Sequence, residues 1–340
     1  MGRAGGGTGR ARPRKNARRV AAPARGAAAA TVAGPMPRPV VWSLYAMLVL
    51  IWSSTWVAIK LGLDDTPPLL GAGIRFTLAG VGLLVIARAS GRPLRTDRVL
   101  AGVIGVLPFA FTYGVIYWSE QYVPSGLAAV LFGVLPIYVA LIASVALRDE
   151  PLRARLFGGV VLALAGLGFA FSESVALGDS RFAVAAAIAS LVAPVGAAIG
   201  NVATKRRGAG VDALVLNGWG AALGGVLLLA VSAASEDWGG AAWTPAAVGS
   251  IAYLAAIGTA VAFVTLTLLL RELPAVTMSF IALLLPFGAL VFGAVVDGEP
   301  LTLAELAGAT LVAAGILVAQ WPRGGLRVWR RALASSRATG

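Results

Sequence analysis

Ten apolar runs partition this chain, at residues 41–62, 68–88, 99–119, 124–147, 155–173, 182–204, 212–233, 246–270, 274–296 and 303–321. Each has about the 20 residues that an α-helix needs to cross a hydrocarbon layer of about 30 Å. No other feature restricts the fold as much. A backbone in lipid must satisfy its own N–H and C=O groups, and a helix does so within one segment. Composition agrees, with 58% hydrophobic and 13% charged residues against about 25% charged in a soluble domain. The expected fold is an all-α polytopic membrane protein of ten transmembrane helices.

Basic residues set the orientation. With the N-terminus in the cytoplasm, the loops on that side carry Arg88, Arg92, Arg95 and Arg98, then Arg148, Arg153 and Arg155, then Lys205, Arg206 and Arg207, then Arg271. The opposite loops hold Arg181 and acids such as Asp64, Asp65, Glu236 and Asp237. Basic residues near segment ends favour the cytoplasmic side, so both termini are expected there. Residues 1–39 read as a disordered basic cytoplasmic tail and 322–340 as a second basic tail. An Arg-rich leader also fits a transit peptide, and Met36 is an alternative start. The net charge of +13 collects in tails and alternate loops, which speaks against nucleic-acid binding. Trp42, Trp238, Trp243 and Trp321 lie at segment ends, as interfacial anchors do.

The chain has no cysteine and no histidine. Disulfides, metal sites built on these ligands, and Cys or His catalysis are thereby removed. No glycine cluster forms a nucleotide-binding motif, so neither a cofactor nor ATP-driven transport is expected. An intramembrane enzyme would also need paired acids within the helices, and these are missing.

The chain contains a repeat. Aligning residues 122–171 with 272–320 pairs Pro124 with Pro274 and Pro136 with Pro286. A one-residue slip then pairs Glu150-Pro151-Leu152 with Glu299-Pro300-Leu301, Gly159 with Gly308, and Gly166 with Gly315. The fourth and fifth helices thus correspond to the ninth and tenth, and each copy spans five, at 41–173 and 182–321. An odd number inverts the second copy. Inverted repeats around a central cavity are typical of secondary transporters. The prolines predict matched bends in helices 4 and 9, with Pro136 and Pro286 as hinges. The acids of "RDEPL" and "DGEPL" read as turn and capping residues.

These features resemble the EamA-like permeases of the drug/metabolite transporter superfamily. The resemblance rests on "IWSSTWVAIKLGL", "GIRFTLAG", "SGLAAVLFGVLPIYVALIASVALRDEPL" and "GGVVLALAGLGF", then on "TMSFIALLLPFGALVFGAVVDGEPL" and "AGATLVAAGILV". Trp52-Ser53 replaces a frequent Trp-Gly, and Leu147-Arg148-Asp149-Glu150 and Asp297-Gly298-Glu299 depart from the usual Leu-Gly-Glu. The resemblance implies alternating access, and export of amino acids, metabolites or toxic compounds.

Away from segment ends, only Lys60 and Arg75 are basic. A charge at mid-membrane costs at least ~2.5 kcal/mol, so both need a role. Lys60 either snorkels to the interface or enters the cavity. Arg75 either pairs structurally, with Glu120 or a helix end, or meets an anionic substrate group. Tyr113 and Tyr117 are four apart, with Glu120 three further on, forming a polar stripe for a cavity or an interfacial belt. Trp52 and Trp56 repeat the four-residue spacing and serve either cavity lining or helix packing. Asn201, Asn217, Thr259, Thr265 and Ser279 are weaker polar candidates in the second half. Glu120 is the candidate carboxylate for proton coupling. The expected function is a secondary transporter of the bacterial inner membrane that exports small metabolites. Drug or toxic-cation efflux and a non-transporting membrane scaffold or sensor are the alternatives. Expected partners are a small-molecule substrate, the lipid bilayer and, if transport is coupled, protons; one chain encloses one pathway, and a homodimer stays open.

Overall fold

A computed structural model describes Gly2 and residues 36–123, 125–170, 182–296 and 302–320. Residues 1, 3–35, 124, 171–181, 297–301 and 321–340, which include Pro124, Arg181, Glu299, Trp321 and nearly all of both basic tails, lie outside the described residues. Within them the regular structure is helical, with no strand. In chain order the helices are α1 (Arg38–Leu63), α2 (Pro68–Ala89), α3 (Arg98–Ser119), α4 (Ser125–Phe132 and Leu135–Ala146) and α5 (Ala154–Ala170). There follow α6 (Ala183–Arg207), α7 (Ala213–Ser235), α8 (Pro245–Glu272), α9 (Ala275–Ser279 and Ile281–Val296) and α10 (Leu303–Gln320). Among the described residues seven of these, α1 to α4 and α6 to α8, are long and apolar enough to cross a membrane; α5, α9 and α10 are shorter apolar helices. This is the make-up of a polytopic membrane protein.

The helix ends follow from local chemistry. Asp97 accepts from the N–H groups of Val99 and Leu100 and starts α3; Asp212 does the same for Leu214 and Val215 at α7. Proline opens α2 and α8, where its missing N–H is harmless. Two ends are capped from a distance. The Glu236 carboxylate accepts from Leu69 N and Leu70 N at 2.8 and 2.9 Å, at the start of α2. Glu150, in the α4–α5 turn, accepts from Ala275 N and Val276 N at 2.9 and 3.2 Å, at the start of α9. A carboxylate at a helix N-terminus meets orphan donors and the positive end of the dipole. Glu150 thus does the capping that the "RDEPL" motif suggests.

These contacts sort the loops onto two faces. Arg92 pairs with Asp212 at 2.6 Å and Arg207 with Asp97 at 2.8 Å. Lys205 donates to Leu273 O at 3.0 Å, and Arg271 donates to Val211 O. With Glu150, these join the loops near residues 92–97, 150, 205–212 and 271–275. On the other face Thr244 donates to Asp65, and Ala242 N to Asp65 O.

The most extensive helix contacts are α2 with α7 and α5 with α10. Both rely on glycine. A Cβ at Gly166 would lie 2.7 Å from Leu311 Cβ and 2.8 Å from Gly308 O. Small residues let backbones approach closely where lipid offers no hydrophobic drive.

Five rods are irregular. α4 is interrupted at residues 133–134, just where the Pro136 ring would strike the Phe132 carbonyl of a continuous helix. α9 is interrupted at Phe280, while Pro286 sits inside its second piece. The two interruptions therefore fall at different places relative to the paired prolines. α6 breaks at Ala193, before Pro194. α3 and α8 each contain a π-helical stretch, Gly105–Thr112 around Pro108 and Ala256–Val261.

Candidate functional site

A small cavity of about 70 Å³ lies between α1, α3, α4, α6, α8 and α9. From α1 come Trp52, Trp56 and Ile59, with Thr55; positions i, i+4 and i+7 share one helix face. From α3 come Pro108 and Thr112, within the π stretch, and Tyr113 and Ile116 just after it. Phe132 and Leu135 flank the break in α4, so the interruption itself faces the cavity. Ala197 and Asn201 of α6, Phe263 and Leu266 of α8, and Leu285 of α9 complete the wall.

The wall is aromatic and tightly keyed. Trp52 meets Phe263 edge-on with centroids 5.5 Å apart, Tyr113 meets Phe263 at 6.0 Å, and Trp56 meets Phe132 at 6.2 Å. Edge-to-face pairs of this kind fix ring orientation. The polar groups are sparse. Thr55 donates to Trp52 O at 2.7 Å and Thr112 to Ala193 O at 2.9 Å, so both hydroxyls are engaged. The buried Trp52 Nε1 has no hydrogen-bond partner among the described residues. Close approach of α3 to α6 depends on Gly196, where a Cβ would lie 2.6 Å from Leu107 O.

Behind the wall lies Arg75, with 0% of its surface exposed. Its Nε donates to Thr259 Oγ1 at 2.9 Å, one terminal nitrogen to Tyr117 OH at 3.2 Å, and the other to Gly258 O at 3.3 Å. The guanidinium carbon lies 4.8 Å from the Phe76 ring centre and 4.9 Å from that of Tyr113. Gly258 and Thr259 belong to the π stretch of α8. Such a stretch loosens the i→i−4 ladder and makes carbonyls available to other donors. Two ion pairs among the described residues, Arg92–Asp212 and Arg207–Asp97, do not include Arg75. Its charge is held by neutral acceptors and ring faces.

Against known proteins, the model of the EamA-like transporter family matches twice, at residues 40–172 and 184–320. The chain belongs to this family. Among its relatives are the uncharacterized transporter YoaV of Bacillus subtilis, 31% identical over 80% of this chain and 93% of that protein, and the uncharacterized inner membrane transporter YedA of Escherichia coli, 31% identical over 82% and 90%. A probable terminal-alkyne amino-acid exporter of Streptantibioticus cattleyicolor is 30% identical over 82% of this chain and 92% of its own length. A crystal structure of a protein 19% identical aligns with a TM-score of 0.69 over 84% of this chain and 97% of that one, a likeness of fold.

Of the residues singled out in the sequence, this EamA-like transporter gathers Trp52, Trp56, Tyr113 and Asn201 around the cavity. Arg75, Tyr117 and Thr259 form the cluster behind Tyr113. Glu120 is buried near the end of α3, beyond Tyr117. Lys60 is exposed in the last turn of α1, away from the cavity. Ser279 is buried, and its hydroxyl donates to Val276 O at 2.6 Å. Asn217 donates to Ala213 O and Thr267 Oγ1, both at 2.8 Å, joining α7 to α8. Sequence reasoning missed Pro108, Thr112, Phe132 and Phe263. Pro108 carried a visible signal, a proline inside an apolar run.

Proposed function

We propose that this transporter is a secondary carrier of the bacterial inner membrane, with both termini cytoplasmic, exporting small metabolites such as amino acids or related compounds. The aromatic cavity built by helices of both sequence halves carries this reading, because a carrier's site lies near the midplane between its repeats. In this reading the seven long and three shorter helices make ten crossings, as inverted repeats at 41–173 and 182–321. The double family match supports the repeat. So does the glycine pattern. Gly159 packs on Gly315 and Gly166 on Gly308; aligning Gly159 with Gly308 and Gly166 with Gly315 turns one contact into the other. Each half also has a π stretch in its third helix.

Trp52, Trp56, Tyr113 and Asn201 bind the solute, and the broken rods α4 and α9 move in alternating access, with Pro136 and Pro286 as hinges. Glu120, as a buried carboxylate, is the group on which proton coupling would act. The amino-acid class draws on the probable amino-acid exporter among the relatives. Reconstitution into liposomes with labelled amino acids and related metabolites, with and without a pH gradient, tests the carrier. At least one compound should move faster than in empty liposomes; movement of none would defeat the reading.

A further inference from the structure

The charge that a solute meets in this cavity is set by a residue that does not line it. None of the described residues lining the cavity is charged. A box of Trp, Phe and Tyr without charge is at first sight an ammonium cage, because ring faces attract cations. The geometry opposes that use. The Tyr113 ring already carries a cation, the Arg75 guanidinium, 4.9 Å from its centre. The edge-to-face pairs Trp52–Phe263 and Trp56–Phe132 each leave one ring face covered by its neighbour.

We propose that Arg75 makes the cavity selective against organic cations, so that its solute is an apolar body bearing a carboxylate or no charge. The inference rests on the proposed function, since it takes the cavity as the transport site. Arg75 bears a cationic guanidinium. It is fully buried and held by Thr259, Tyr117 and Gly258. In a water-poor interior its field reaches further than it would in water. Glu120 opposes it more weakly at the cavity. Glu120 follows Tyr113 by seven positions, just past the end of α3, about 10 Å along the axis, and does not line the cavity. A solute resting on Tyr113 therefore meets the positive charge first.

The test uses one apolar body with three heads: 3-phenylpropanoate, 3-phenylpropanol and 3-phenylpropylammonium. Binding is measured to the full chain in nanodiscs of uncharged phosphatidylcholine, against empty nanodiscs. Wild type should bind the carboxylate at least about tenfold more tightly than the ammonium, with the alcohol between. Arg75→Gln should bring that ratio towards one, and Arg75→Lys should keep it. Ammonium binding as tight as carboxylate binding in wild type overturns the inference, whether or not any variant folds. So does an unchanged ratio in a folded Arg75→Gln protein. Absence of binding by all three removes the cavity as a site, and the proposed function fails with it; a cation preference removes only this inference.

Discussion

The Nε of Arg75 on α2 donates to the Thr259 hydroxyl on α8 at 2.9 Å, across 184 positions of sequence. The bond ties two helices through a fully buried charge. Thr259→Val keeps the shape and removes the acceptor. A buried charged donor left short costs about 1–3 kcal/mol, so the variant should melt earlier than wild type in detergent. An unchanged melting temperature would show that the tie contributes nothing.

The α5–α10 crossing is predicted to be intolerant of added volume. Gly166→Ala places a Cβ 2.7 Å from Leu311 Cβ, and overpacking of this sort costs about 1–3 kcal/mol. Gly308→Ala meets Gly166 O at 2.6 Å from the opposite helix. Each single variant should lower thermal stability, and the double variant should depart from additivity because the sites touch. Additive, near-zero effects would mean that the helices have room to part.

Two asparagines should behave oppositely. Asn201 lines the cavity, whereas Asn217 bonds Thr267 and Ala213. Asn217→Ala should cost up to about 1.7 kcal/mol of stability, as interhelical hydrogen bonds in membranes do, with solute affinity unchanged. Asn201→Ala should weaken uptake into proteoliposomes at unchanged melting temperature. Parallel stability and transport curves for the pair decide the matter; equal behaviour would sink the distinction.

Acid should loosen one face first. The Leu100 N–H and the Arg207 guanidinium hold the Asp97 carboxyl below the ordinary carboxylate range. Burial alone would raise Asp212, but Arg92 and the Val215 and Leu214 N–H groups outweigh it and the net direction is down. For carboxylates lowered by folding, the added stability is complete above the unfolded value of about 3.9 and is lost as pH falls below it through the lowered native values. Melting temperatures measured from pH 7 to pH 3 should fall at the acid end, and Asp97→Asn with Asp212→Asn should flatten that fall. A fall of equal size in the double variant would assign it to other groups.

The absence of cysteine makes topology directly readable. Single cysteines at Pro93 and Gly240 sit by the two loop groups that the side-chain contacts separate. With both termini cytoplasmic, an impermeant maleimide should label Gly240→Cys in intact cells and Pro93→Cys only in inverted vesicles. The reverse pattern would invert the orientation.

Much of the wall was legible because it obeys helix periodicity. Trp52 and Trp56 are four apart and share the cavity. Tyr113, Tyr117 and Glu120 share an α-helical stripe in sequence, yet only Tyr113 reaches the cavity, because Arg75 claims Tyr117. That claim comes from another helix, and spacing along α3 carries no trace of it. Phe263 was hidden for a different reason. It follows a π stretch, where the wider turn shifts the phase of every later residue. Pro108 and Pro194 lacked emphasis since neither has a proline counterpart in the other half, unlike Pro136 and Pro286.

The cap that Glu150 places on α9 also has an order in time. The carboxylate is synthesised 125 residues before the amide of Ala275 that donates to it. A nascent chain that has completed α5 therefore carries a finished acceptor with its donor still unmade. A fragment ending anywhere before residue 275 would keep it so, and the start of α9 in the complementary fragment would be left with two bare N–H groups. The two sequence halves are thus joined by more than the chain between them: each is chemically unfinished when made alone.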